Sequence, residues 1–282
     1  MNILTFDIEE WFHLLDNEST KTTMEWANYE SRIHQNMERI FSVLDTVNTK
    51  ASFFIVGWIA EKYPEVVNEI CKRGYEIGSH TTFHQLVYEQ NREEFFQDVN
   101  RSIKTLEDIA GKKVKMFRAP GFSITEENKW AFEVLYELGI EIDSSVFPTG
   151  RAHGGMPSYG VAEPSILKYN GIQLKEFPVN THSFMRKEFI YSGGGYFRLI
   201  PYTLLKNWTA KDDYVMSYIH PRDLDPQQPI INELTLSRKF KSYVGLKTAQ
   251  TKLEKWLSDF EFTDIATANK EIDWDIVKIV NL

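Results

Sequence analysis

Gly74-Tyr75-Glu76-Ile77-Gly78-Ser79-His80-Thr81-Thr82-Phe83-His84 is the stretch on which the fold turns. Gly74 stops a helix, Tyr75 to Ile77 reads as a short apolar strand, and a small-residue turn then delivers two histidines at i and i+4. On a helical turn that spacing sets both imidazoles on one face, about 5–6 Å apart at Cβ. Two neutral imidazoles so placed can share one Zn²⁺, each nitrogen at roughly 2.0–2.1 Å. Nothing acidic lies between them, so a third ligand and a general base must come from elsewhere. The competing reading of the pair alone is two solvated loop histidines, and what surrounds the stretch decides between them.

Upstream, Ile3 to Ile8 forms an apolar strand ending in acid. Side chains alternate along a strand, so Asp7 and Glu9 share a face if the extended geometry lasts that far, with Glu10 as the reserve candidate. Apolar positions Ile33, Met37, Ile40, Phe41 and Leu44 recur at helical spacing, leaving His34 off the stripe and solvated. Ala51 to Val56 is a second strand, and Pro64 to Lys72 a helix with proline in its first turn.

Downstream, Phe95, Val99, Ile103 and Leu106 mark a helix, and Val114 to Phe117 is a strand running into Arg118-Ala119-Pro120-Gly121-Phe122. A helix through Trp130 and Leu138 leads to the strand Ile140 to Ile142, which finishes in Asp143. Residues 148 to 165 read as a long loop, Ile172 to Val179 as a strand, and Ser192 to Arg198 as a glycine-rich turn without the lysine of a phosphate loop. A helix over Leu199 to Trp208, a strand from Tyr214 to Ile219 ending in His220-Pro221-Arg222-Asp223, a helix over Thr248 to Leu257 and a short eighth strand at Phe262 to Ile265 complete the chain.

This alternation predicts an α/β fold, a mainly parallel sheet covered by helices and closed or nearly closed into a barrel, with residues 1–282 as a single catalytic domain. Asp7, His80, Arg118, Asp143 and His220 each follow the C-terminal end of a strand, and in a parallel barrel those ends share the rim where barrel enzymes keep their chemistry.

Thirty-two basic against forty acidic residues give a net charge of −8 without a basic run, which argues against nucleic acid and anionic membrane surfaces as partners. The 14% aromatic share suits sugar-stacking surfaces and plain core alike. The one cysteine, Cys71, excludes an internal disulfide and reads as a buried small hydrophobe. The start of the chain lacks a basic n-region and a cleavage site, and no apolar run is long enough for a membrane span, so the expected location is cytoplasmic.

Two imidazoles and a carboxylate make a catalytic metal site with an open position, and Glu9 is the chosen carboxylate. A zinc ion there acidifies a bound water to a pKa of about 7 and polarises a carbonyl, which suits amide or ester hydrolysis. Asp7 can take the proton from that water, Arg118 can pair with and orient Asp7, and His220 can protonate a leaving amine. Either Asp143 or Asp223 orients His220. His153 and His182 fall in loops and read as solvated, with approach to the rim as the alternative, and His13 has no evident role.

These residues resemble the polysaccharide deacetylases with NodB homology, related to carbohydrate esterase family four. The resemblance is carried by Thr5-Phe6-Asp7-Ile8-Glu9, His80-Thr81-Thr82-Phe83-His84, Arg118-Ala119-Pro120-Gly121 and His220, in the expected order. Asp143-Ser144-Ser145-Val146-Phe147-Pro148, Gly193-Gly194-Gly195-Tyr196-Phe197-Arg198 and His220-Pro221-Arg222-Asp223 look like a bacterial branch associated with exopolysaccharide synthesis. The common motif has two adjacent aspartates, whereas Asp7-Ile8-Glu9 fits members with an acid, any residue and a second acid.

The resemblance implies a distorted (β/α) barrel of about seven parallel strands and metal-dependent removal of N-acetyl groups from sugars of a polysaccharide or its lipid-linked precursor. It implies Asp7 as base, His80 and His84 as ligands, Arg118 as orienter, His220 as acid and the Gly121 N–H as oxyanion donor. Gly121, Phe122 and Tyr196 are the substrate-binding candidates, Tyr196 and Phe197 being able to stack on a sugar ring. The alternatives are hydrolysis of a cyclic imide or formamide, and a carbohydrate-binding homologue without catalysis.

Overall fold

The computed structural model describes residues 1–15, 17–150, 154–184 and 187–282. Its strands in chain order are β1 (Asn2–Ile3), β2 (Thr5–Ile8), β3 (Ser52–Ile55), β4 (Glu76–Ser79), β5 (Met116–Phe117), β6 (Ile142–Asp143), β7 (Ser165–Tyr169), β8 (Ile172–Glu176), β9 (His182–Phe184), β10 (Lys187–Phe189), β11 (Val215–Met216) and β12 (Lys278–Asn281). One sheet has the order β12-β7-β8-β6-β5-β4-β3-β2, parallel throughout except where β7 meets β8. β2 and β3 are buried at every position, the pattern of parallel strands covered on both faces.

β1 pairs with β11, and the pairing continues as Ile219 N–H donates to Thr5 O (3.1 Å) and Asp7 N–H to Ile219 O (3.0 Å). Beyond that strand, Gly194 N–H reaches Tyr218 O at 3.1 Å. The sheet therefore curls through the 192–194 segment toward the end of β8. Among the described residues no backbone ladder closes the ring. Side chains span the seam instead: Asn180 Oδ1 accepts from Met216 N–H (3.0 Å) and from Ser192 Oγ (3.2 Å), and Tyr214 Oη donates to Pro178 O (2.8 Å).

Helices pack on the outer face as their periodicity dictates. Ile33–Val47 buries Ile33, Met37, Ile40, Phe41, Val43 and Leu44, while Pro64 opens the helix Pro64–Lys72 and Gly74 leaves it at φ +78°. Arg92–Ala110 starts in a capping box between Asn91 and Glu94 and ends at Gly111 in the left-handed region.

Several expectations change. The eighth strand reduces to one bridge, Ile3 to Thr263, because Asp264 caps a helix over Ile265–Glu271. The glycine-rich turn opens a helix, Gly194–Leu199, and Pro201 separates it from Tyr202–Thr209, so the single helix expected there is two. β7 and β8 form a hairpin through Asn170 (φ +43°) and Gly171 (φ +84°), the Asn-Gly pair that two positive φ angles favour. The long loop holds the short turn Pro157–Tyr159, and His153 lies outside the described residues. Cys71 is half-buried. Among the described residues no helix is long and apolar enough to cross a membrane.

Candidate metal and acid–base site

β4 ends at Ser79, and His80 still continues its ladder, donating its N–H to Ile55 O at 3.0 Å. The next four residues are not a helical turn. Thr81 and His84 take positive φ (61° and 53°), and the loop is pinned from outside. The helix Gly57–Lys62 starts against it, with Gly57 and Trp58 N–H donating to Thr81 and Thr82 O (2.8 and 3.0 Å). Asp98 Oδ1 accepts from Thr82 and Phe83 N–H (3.0 and 3.2 Å). Two non-glycine residues in the left-handed region are held by this surrounding structure, as at sites where geometry matters more than local ease. The imidazoles still meet, with ring centroids 5.2 Å apart.

His80 Nδ1 lies 2.7 Å from Arg118 O, so it carries the proton and leaves Nε2 as the free lone pair. Burial lowers the His80 pKa to about 4, against the pull of Asp7, so the ring is neutral. Glu9, past the end of β2, joins the pair: one ligand atom from each of Glu9, His80 and His84 lies within 4.8 Å of the others, and all three residues are buried. Burial by itself would raise the Glu9 pKa, but His84 and His220 bring it down to about 2. Glu9 Oε2 and His84 Nε2 approach to 2.6 Å, yet Oε2 makes no aligned hydrogen bond among the described residues. Three buried donors, one of them ionised, converge here with their ligand atoms within 4.8 Å of one another, which fits a cation held by all three once Glu9 and His84 spread apart. The Glu–His–His donor set fits a divalent transition metal.

Glu10, the reserve candidate, points elsewhere. Its carboxylate accepts from Arg32 and Ile33 N–H (3.0 and 3.2 Å) at the start of the helix Ile33–Val47, and from Ser31 Oγ (2.5 Å).

Asp7 sits inside the rim with Oδ1 accepting from Arg118 Nη1 at 2.7 Å. Arg118 is fully buried, and its other donors reach Thr5 Oγ1 (2.6 Å), Ser144 Oγ (2.8 Å) and Ser144 O (3.2 Å), with Phe54 beneath the guanidinium. Across the rim, His220 Nε2 lies 3.9 Å from Asp7 Oδ2 and 3.8 Å from Glu9 Oε1. Its Nδ1 meets Asp223 Oδ2 at 2.9 Å, so Asp223 orients the ring. Burial alone would lower the His220 pKa; Glu9, Asp223 and Asp7 overcome that and raise it to about 9. The glycine segment lies alongside. A Cβ at Gly193 would fall 2.3 Å from Tyr218 O, and one at Gly194 3.8 Å from His220 Cε1, so close approach demands glycine at 193.

Residues 4–141 match the family model described as polysaccharide deacetylase. That match, just under half of the chain, places residues 4–141 in the polysaccharide deacetylase family. Residues 144–270 match a domain of unknown function, DUF3473. A peptidoglycan-N-acetylglucosamine deacetylase of Bacillus cereus is 35% identical over 96 residues, covering 34% of this chain and 35% of that protein. A chitooligosaccharide deacetylase of Azorhizobium caulinodans is 32% identical over 82 residues, 29% of this chain and 39% of that one. The chain thus spans well under half the length of these two curated relatives. In three dimensions it superposes on a structure from Mycobacterium smegmatis assigned as a polysaccharide deacetylase, with TM-score 0.66 and 18% identity over 100% of this chain and 92% of that one. That likeness shows the fold.

Within this polysaccharide deacetylase frame the other singled-out residues separate. Gly121 takes φ +62° in the turn Pro120–Phe122. Tyr196 is 54% exposed at the start of its helix, whereas Phe197 is fully buried. Phe122 is corrected: its ring is buried edge-on to Tyr218 (5.0 Å) and against Phe147 (5.6 Å), so it shapes the loop and offers no face to a sugar. Asp143 does not reach His220; it holds Ser145 Oγ (2.6 Å), which in turn accepts from Ala119 N–H (2.8 Å) in the Arg118 loop. His182 pairs with Asp212 at 2.8 Å, and His34 with Glu65 at 2.7 Å.

Three participants escaped the sequence reading. His13 is buried with its ring stacked 5.8 Å from His84 and 4.1 Å from Trp26, a nearness that its i+4 spacing from Glu9 could have signalled. Arg198 Nε pairs with Asp223 Oδ1 at 2.8 Å, backing the His220 partner. Asp98, which pins the histidine loop, had no signal, since it is one acid among several on an amphipathic helix.

Proposed function

We propose that the protein is a hydrolase that removes N-acetyl groups from amino sugars of a polysaccharide or its precursor, with Glu9, His80 and His84 holding a divalent cation, zinc by donor chemistry. The reading is carried by one observation: His220 Nε2 stands 3.9 Å from Asp7 Oδ2 and 3.8 Å from Glu9 Oε1, so acid, base and ligand set face one point. Bound there, the cation would supply Lewis-acid polarisation of the acetamide carbonyl and acidification of water.

The chain's own groups divide the proton work. Asp7 Oδ2 is free to accept the proton of the attacking water because Oδ1 is tied to Arg118. His220, kept protonated and aimed by Asp223, gives a proton to the departing amine. Water and the acetamide then become acetate and a free amino sugar. The Gly121 N–H serves the developing oxyanion, and Tyr196 stacks on the sugar. The motifs at 143–148, 193–198 and 220–223 support a substrate from exopolysaccharide synthesis.

The test is acetate release from N-acetylhexosamine oligomers, alongside metal analysis of the purified protein. Asp7→Asn is expected to abolish release while bound metal stays near one per chain, in keeping with a base that is not a ligand. Loss of the metal with that change would make Asp7 a ligand and reverse its role.

A further inference from the structure

The turn that carries His220 and Asp223 also carries a buried cation that the proposed chemistry does not use. Arg222 is 7% exposed, and its Nη2, shielded from solvent, has no hydrogen-bond partner among the described residues. Its guanidinium makes no ion pair there either. Burying an unpaired charge is costly, and arginine does not escape the cost by losing its proton at physiological pH.

The acids whose fields reach Arg222 are already engaged. They are Asp223 and Glu9, with Tyr243 and the like-charged Arg198 also acting on it. Asp223 gives Oδ2 to His220 and Oδ1 to Arg198. Glu9 faces His84 with one oxygen and His220 with the other. Tyr243 Oη donates to Pro229 O and accepts from Ile231 N–H. Asp225, three residues on from Arg222, is taken by Arg32 and Arg39. A buried guanidinium is therefore held two residues from His220 and next to Asp223 in the chain, with its donors uncommitted among the described residues.

We propose that Arg222 is a substrate-binding residue that receives an oxyanion of the saccharide, a carboxylate or a phosphate, so that the preferred substrate is an acidic N-acetylated glycan. This rests on the deacetylase reading above. Guanidinium–oxyanion recognition is directional and frequently bidentate, so the same contact would select the acidic sugar and set its register at His220.

The experiment compares kcat and KM of the full-length, metal-loaded protein on neutral N-acetylglucosamine oligomers and on two acidic counterparts, one bearing a carboxylate and one a phosphate. Arg222→Met is expected to reduce the acidic-to-neutral ratio of kcat/KM by at least about 10-fold, chiefly through KM, as for one charge-assisted hydrogen-bonding group. Arg222→Lys is expected to recover part of that loss, and the acidic arm that responds identifies the oxyanion. An unchanged ratio in Arg222→Met, or equal losses on neutral and acidic substrates, overturns the proposal. Binding of the acidic saccharides to wild type and Arg222→Lys by calorimetry reads the same contact without turnover. It covers a Met variant that fails to fold, and it separates this inference from the deacetylase reading. No preference of wild type for the acidic saccharides in either assay also overturns it.

Discussion

Glu9 and Glu10 are adjacent in the chain and opposite in duty, and the difference comes from where the strand stops. Glu9 faces His84 across the rim; Glu10 turns outward onto the open N–H groups of the helix Ile33–Val47. Glu9→Gln is therefore expected to strip the metal with little effect on folding. Glu10→Ala keeps the metal but loses stability by about 1–3 kcal/mol, the cost of leaving buried donors unsatisfied. Metal content against thermal midpoint separates the two, and metal loss from Glu10→Ala would exchange their roles. Asp223 acts one residue removed from the chemistry, through the proton on His220. Its negative charge helps raise the His220 pKa to about 9, and a proton donor is lost as pH rises through its pKa. Asp223→Asn should therefore move the alkaline limb of the kcat/KM profile to lower pH, measurable from about pH 6 to 10. An unmoved limb would assign that limb to another group.

The elements that hold the site were legible in the sequence wherever a strand ran into a polar residue. Short, near-continuous apolar runs located β2 to β6, and residues at or just past the ends of β2, β4 and β5 meet at the rim. Less legible was anything set by contacts between elements. The histidine loop owes its shape to Asp98 and to the helix starting at Gly57, not to its own i, i+4 spacing. The choice of Asp223 over Asp143 rested on which strand end each acid turned toward.

Asp143 instead ends β6 beside Glu176 at the end of β8, two buried carboxyl groups in register. Burial raises both pKa values, and Asp143 pushes Glu176 higher still, so Glu176 holds the shared proton. Glu176 Oε2 is buried and has no hydrogen-bond partner among the described residues, where a proton spares an unpaired charge. A folded state that keeps a proton the unfolded chain releases loses stability as pH rises above the unfolded value, at about 1.4 kcal/mol per unit until the folded pKa is reached. Glu176→Gln keeps a donor and removes the titration. Its melting point should match wild type near pH 5 and exceed it near pH 8, with the Arg118 loop still held through Ser145. Parallel pH dependence in both proteins would mean that the pair shares no proton.

At the scale of the molecule, the expected α/β architecture with a mainly parallel sheet is present, but the step that would close it could not be read from periodicity because among the described residues no backbone ladder makes it. The strands on either side of the gap are recognisable as strands; the junction is made by Asn180 and by Tyr214 Oη on Pro178 O, in a segment without repeat. Asn180 Oδ1 accepts the Met216 amide and the Ser192 hydroxyl, while its Nδ2 lies 3.4 Å from Asp212. Asn180→Ala would leave the Met216 N–H buried without an acceptor, at a cost of about 1–3 kcal/mol. The effect should be regional, because β2 to β6 have their own ladders while the 214–219 strand relies on β1, β2 and this seam. Hydrogen exchange is expected to accelerate at 215–219 and to stay near wild type across β3 and β4. The loosened strand ends in His220, so kcat should fall while metal content holds, since Glu9, His80 and His84 follow β2 and β4, which keep their ladders with β3. Unchanged exchange at Met216 would show that the seam is held by something other than Asn180, and uniform acceleration everywhere would show that its two sides unfold as one.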